Sequence, residues 1–187
     1  TKLAAAGFYT EGDNTPNIST YRAEGKKDLY LQLADQMKAQ WQALVLGGAI
    51  PPTIVSAFSF FDKAFGTREG AKGVQTPLIY GSGFNAINAA NTSALVQSIY
   101  NRLQEIALMP DQVRTEALKT FVGHYNQLAK AAGFPTKAEG LFTSLSKEKL
   151  LAFEMDSTSI KLLGEYNAAT RGKAIKAAVE NVVGDML

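Results

Sequence analysis

SALVQSIYNRLQEIALMPDQVRTEALKTFVGHYNQLAKAAGFP, residues 93–135, is the stretch whose reading decides the fold. Leu95, Val96, Ile99, Leu103 and Ile106 follow the three-to-four-residue spacing of one helix face, and Leu118, Phe121, Val122 and Leu128 do so again further on. Pro110-Asp111 is a helix opening: proline has no amide to lose in the first turn, and an acidic residue complements the positive end of the dipole. Gly133 with Pro135 closes the second helix. The stretch therefore predicts helices over about Ser93 to Leu108 and Pro110 to Ala132.

Outward from there the same period continues. Leu29, Leu33, Met37, Trp41 and Leu44 mark a helix from about Lys26 that ends at Gly47-Gly48. Ile54, Val55, Phe58, Phe61 and Phe65 mark a second, short one up to Gly66. Gly12 to Gly25, rich in Gly, Asn, Thr, Ser and Pro, reads as an extended surface loop. Glu139 to Phe153 holds one or two short helices, and Ser157 to the C-terminus one or two more, broken near Gly172. No segment sustains a period of two, and Leu150 to Met155 is the nearest strand candidate. The fold class is mainly α, with at most a small number of short strands.

Composition narrows the function classes. In 187 residues, 46% are apolar and 19% charged, which supports a packed core and excludes wholesale disorder. A net charge of +2 is too even for a protein that coats DNA. With no cysteine and one histidine, His124, thiolate metal sites, His-pair zinc sites and Cys-His catalysis are excluded, and no Ser-His-Asp set is evident. His124 reads as a surface or half-buried histidine, and Trp41 with Phe58, Phe60, Phe61 and Phe65 as core. The uncharged run between Lys38 and Asp62 is long enough for a bilayer, but Gly47-Gly48, Pro51-Pro52 and several polar residues interrupt it, so no membrane association is expected. No secretory leader pattern opens the chain, and the expected location is cytoplasmic.

The chemistry-bearing stretch is Arg68-Glu-Gly-Ala-Lys72-Gly-Val-Gln-Thr-Pro-Leu-Ile-Tyr80-Gly81. On a helix Arg68 and Lys72 lie one turn apart on one face, with Tyr80 about two turns beyond. A guanidinium and an ammonium together suit a triphosphate, an aromatic ring can stack on a base, and a glycine lets that base approach the backbone. A solvated cationic face is the alternative. Gly70, Gly73 and Pro77 predict a kinked or late-starting helix, since an interior glycine costs roughly 1 kcal/mol and an interior proline roughly 3 kcal/mol. Lys147, Lys149, Arg171, Lys173 and Lys176 read as a solvated, mildly basic face.

Arg-x3-Lys-x7-Tyr-Gly resembles motif B, the fingers helix of the superfamily of single-subunit phage-type RNA polymerases and family A DNA polymerases. Gly25-Lys-Lys-Asp28-Leu-Tyr30 resembles the Asp-Ile-Tyr or Asp-Ile-His segment that precedes motif B there, and Tyr30 in place of His favours the RNA polymerase branch. The resemblance spans roughly residues 1–90, a fingers-like segment, and leaves 91–187 as a helical segment without an assigned role. It implies a helical fingers-type subdomain whose Lys72, Arg68 and Tyr80 are catalytic. Arg68, Lys72, Tyr80 and Gly81 would contact the nucleoside triphosphate and the templating base.

The family also uses two carboxylates to hold magnesium ions about 4 Å apart. No His-Asp pair occurs here. Thr1-Lys-Leu-Ala-Ala-Ala-Gly-Phe resembles the helix just after the motif A aspartate, as though the chain began past it. Asp156, at the end of an apolar run, is the one candidate ligand for Mg2+; the alternative is an N-cap for the helix from Ser157. The expectation is a fragment or split-enzyme subunit for DNA-directed RNA synthesis. It would act on nucleoside triphosphates and a nucleic acid template, with another polypeptide carrying the missing aspartates. A family A DNA polymerase fragment, or a helical structural protein with a chance motif, are the alternatives.

Overall fold

The structure, a computed structural model, describes residues 16–79 and 83–186, with side chains from 29 to 74 and from 83 to 184. Among the described residues the chain forms helices α1 (Pro16–Leu46), α2 (Pro52–Phe61), α3 (Arg68–Ile79), α4 (Phe84–Ala107), α5 (Asp111–Ala132), α6 (Glu139–Thr143), α7 (Lys147–Leu151), α8 (Ser157–Ala169) and α9 (Arg171–Met186), and no strand.

The helix ends are where local chemistry places them. Gly48 takes φ 80° after α1, so its amide reaches the Val45 carbonyl at 3.1 Å and that of Ala49 reaches Leu44 at 3.1 Å. These two bonds satisfy carbonyls the helix itself leaves unpaired. Gly133, at φ 90°, closes α5 in the same left-handed conformation, with the amides of Gly133 and Phe134 both donating to the Ala129 carbonyl. Phe134 then folds its ring edge onto Tyr125, 5.5 Å between centroids. Pro110 stands at the N-cap of α5, and α8 and α9 part at Thr170.

Three expectations are corrected. The proposed loop over 12–25 is helical from Pro16, because proline at a first helical turn loses no bond. The Leu150–Met155 strand is absent: α7 occupies its start, and the Met155 amide donates to the Tyr100 hydroxyl at 2.9 Å instead of to a neighbouring strand. The helix carrying Arg68 and Lys72 does not start late: it runs from Arg68 to Ile79, with Pro77 near its end. There the single missing amide removes one bond instead of dividing the helix.

Two apolar clusters hold the helices. The larger gathers Phe58 and Phe61 of α2, Ile99 and Leu103 of α4, Phe121 of α5 and Leu163 of α8. Phe121 meets Phe61 and Phe142 edge-on, at 5.3 and 5.5 Å. Such pairs add about 0.5–1.5 kcal/mol each beyond area burial. The smaller cluster joins Leu33 and Met37 of α1, Ala71 and Val74 of α3, Ile87 of α4 and Ile175 of α9. In α9, Ile175, Ala178, Val179 and Val182 are buried at helical spacing against α1. The first and last described helices therefore share one core, and α3 is packed into it. No described helix is long and apolar enough to cross a membrane.

Candidate functional site

The turn between α2 and α3 sets where the helix of Arg68 and Lys72 begins. Asp62 ends α2, and its Oδ1 accepts from the Ala64 amide at 3.1 Å. The Thr67 amide donates to the Ala64 carbonyl at 2.9 Å, and the Thr67 carbonyl accepts from Ala71 at 3.0 Å, which is the first helical bond of α3. Gly66 has φ 80°, a conformation side chains disfavour, and a Cβ there would press on Lys38 Cβ at 3.3 Å. A Cβ at Gly70 would collide with the Ala64 carbonyl, so only glycine lets the first turn of α3 lie against the preceding turn.

Ala71 and Val74 turn into the core, and Arg68 and Lys72 flank them, both half-buried. The Arg68 guanidinium carbon stands 5.2 Å from the centroid of the Tyr30 ring on α1. Its Nε is buried with no acceptor among the described residues. Lys72 Nζ lies 3.7 Å from Glu69 Oε2, an exposed pair worth about 1 kcal/mol or less. The structure thus brings Arg68 and Lys72 onto one helix and sets Tyr30, singled out on α1, against Arg68. Tyr80 and Gly81 lie outside the described residues.

Asp156 stands elsewhere, at the N-cap of α8, which packs on α4 and α5. Its carboxylate accepts from the Ser159 hydroxyl at 2.7 Å and from the Ser159 amide at 3.0 Å. Those bonds, the hydroxyl's first, hold its carboxyl below the ordinary aspartate value. Among the described residues no group of three or more His, Cys, Asp or Glu side chains is placed to hold a metal ion.

The sequence reading missed the buried polar centre of the molecule. Arg171, expected on a solvated face, is 1% exposed, whereas Lys147, Lys149, Lys173 and Lys176 are exposed as expected. Its Nη2 donates to Asp62 Oδ2 at 2.7 Å and to Asn91 Oδ1 at 3.2 Å. The guanidinium carbon lies 4.3 Å from the Phe65 ring centroid and 5.0 Å from that of Phe58. Burial lowers the guanidinium pKa, and the Asp62 charge opposes that shift. Arg171 thereby ties the start of α9 to α4 and to the turn that launches α3. Nothing in the local pattern around Arg171 distinguishes it from its neighbouring lysines.

Residues 64–187, more than half of the chain, match the family model described as bacteriophage N4 RNA polymerase, helical domain. The chain belongs to this family. No curated protein and no solved structure matches it. The stretch matching the N4 RNA polymerase helical family begins in the α2–α3 turn, contains α3 whole, and continues through α9. It leaves α1, with Tyr30, outside the match. The helical fold class is the one this family's description names.

Proposed function

We propose that this chain supplies the triphosphate-binding helix of a DNA-directed RNA polymerase. The observation that carries the reading is the pairing of Arg68 and Lys72, one turn apart on α3, within the stretch that matches the N4 RNA polymerase helical family. The 3′-oxygen of the growing strand attacks the α-phosphorus of a nucleoside triphosphate, and pyrophosphate leaves. Positioning and charge stabilisation do most of the work in such a transfer. Arg68 and Lys72 hold the triphosphate and offset the charge that develops on it. Lys72 exchanges its exposed contact with Glu69 for the phosphate oxygens. In this reading Tyr80 has the role of distinguishing ribose from deoxyribose, and Gly81 that of admitting the templating base.

Magnesium belongs to this reading through carboxylates supplied by another segment or polypeptide. The described residues do not fit a metal pair by themselves, because Asp156 is engaged by Ser159 and has no acidic cluster around it. The assembly works on a nucleic acid template, in the cytoplasm.

The test is extension of a primed template, with ribo- and with deoxyribonucleotides, by the chain together with whatever polypeptides co-purify with it. Lys72→Ala should lower kcat/KM for ribonucleotides by about a hundredfold or more. An unchanged rate overturns the reading, and a preference for deoxyribonucleotides assigns the chain to the DNA polymerase branch.

A further inference from the structure

A pocket of about 540 Å³ lies between α1, α2 and the α2–α3 turn, and neither Arg68 nor Lys72 lines it. Its size falls in the range of small-molecule sites, and its lining has the mixture such sites use. Trp41, Phe58 and Phe65 give it aromatic walls, and Ser59 and Thr67 contribute hydroxyls. Lys38 and Lys63, both exposed, line it too, as does the buried Arg171.

The charges do not cancel. Lys38, Lys63 and Arg171 face a single carboxylate, Asp62, which leaves two positive charges in excess within the lining. Arg171 is 1% exposed, yet its Nε and Nη1 meet no acceptor among the described residues. A buried donor without a partner is costly, so such donors mark a place where an acceptor belongs. The bond to Asp62 occupies Nη2 alone.

We propose that this pocket binds a phosphomonoester carried on a flat aromatic body. The ring lies among Trp41, Phe58 and Phe65, and the dianionic phosphate matches the two excess charges and offers acceptors to Arg171 and the lysines. The site is independent of the triphosphate-binding reading of α3, since the two share no charged residue.

The chain carries its own reporter, because Trp41 is its sole tryptophan and it lines the pocket. The experiment titrates the full chain with phenyl phosphate, inorganic phosphate and phenol, following Trp41 fluorescence and heat of binding. Phenyl phosphate should bind more tightly than either of the others. The double variant K38A/K63A, which alters exposed residues only, should weaken phenyl phosphate by about tenfold and leave the thermal midpoint in place. Equal binding of phenol overturns the anionic part of the proposal, and equal binding of inorganic phosphate overturns the aromatic part. Unchanged affinity in K38A/K63A, or no phenyl phosphate binding at all, overturns the site.

Discussion

The guanidinium carbon of Arg68 stands 5.2 Å from the centroid of the Tyr30 ring, on a helix that comes 38 residues earlier in the chain. The contact joins α1 to the first turn of α3 and orients a side chain whose Nε has no acceptor among the described residues. A cation over an aromatic ring is worth about 0.5–1 kcal/mol at a partly exposed site. Tyr30→Ala should therefore lower stability by about that amount and weaken triphosphate binding a few-fold, while Tyr30→Phe keeps most of both. Thermal unfolding and nucleotide titration of the two variants, side by side, check this.

The Arg171–Asp62 pair should behave as a buried ion pair. Removing one partner leaves a charge stranded in the interior, so Asp62→Ala or Arg171→Met alone should cost about 3–5 kcal/mol in urea denaturation. The double variant should cost much less than the sum, because no uncompensated charge remains. Additive losses would mean that the two side chains stabilise the fold separately.

Two glycines of α3 should respond in opposite directions. Gly70→Ala drives a methyl group into the Ala64 carbonyl, a backbone atom that cannot swing aside, and should destabilise by about 1–3 kcal/mol. At Gly73 a Cβ meets nothing within 4 Å among the described residues, so Gly73→Ala should stabilise by about 0.5–1 kcal/mol through helix propensity. Thermal or urea unfolding of both variants decides it.

His124 should make stability fall on mild acidification. Its ring stacks on Phe60 at 4.4 Å, and Arg102 reaches the same Phe60 ring at 4.3 Å. Burial first, and then the Arg102 charge, hold its pKa below the ordinary histidine value. The unfolded chain thus takes up this proton more readily than the folded one. Its contribution is intact above the ordinary value and is lost as pH falls from there towards the lowered one. His124→Gln should flatten that slope, as read by urea denaturation at about pH 7.5 and about pH 5.5.

Asp156 should show the carboxylate counterpart at stronger acidity. Its depressed pKa comes from accepting the Ser159 hydroxyl and amide. Its contribution is present above the ordinary aspartate value and is lost as pH falls through the lowered one. Asp156→Asn keeps a capping oxygen but removes the titrating group, so the acid limb of the stability profile should shrink while far-ultraviolet circular dichroism at neutral pH stays the same.

The sequence by itself determined the helices and most of their ends. The spacing of Leu95, Ile99, Leu103 and Ile106, the left-handed stops at Gly48 and Gly133, and the Asp156 cap are all settled by interactions within about five residues along the chain. It also placed Arg68 and Lys72 one turn apart, because that geometry follows from helicity alone. Tertiary structure decided the rest. Arg171 and Asp62 are 109 positions apart in the sequence, and no local pattern separates a buried arginine from the solvated lysines beside it. The need for glycine at 70, the stacking of Tyr30 on Arg68 and the packing of α9 against α1 likewise depend on which helix faces are brought together. That choice is made by burying apolar surface across the whole molecule, and a helical repeat of 3.6 residues does not encode it.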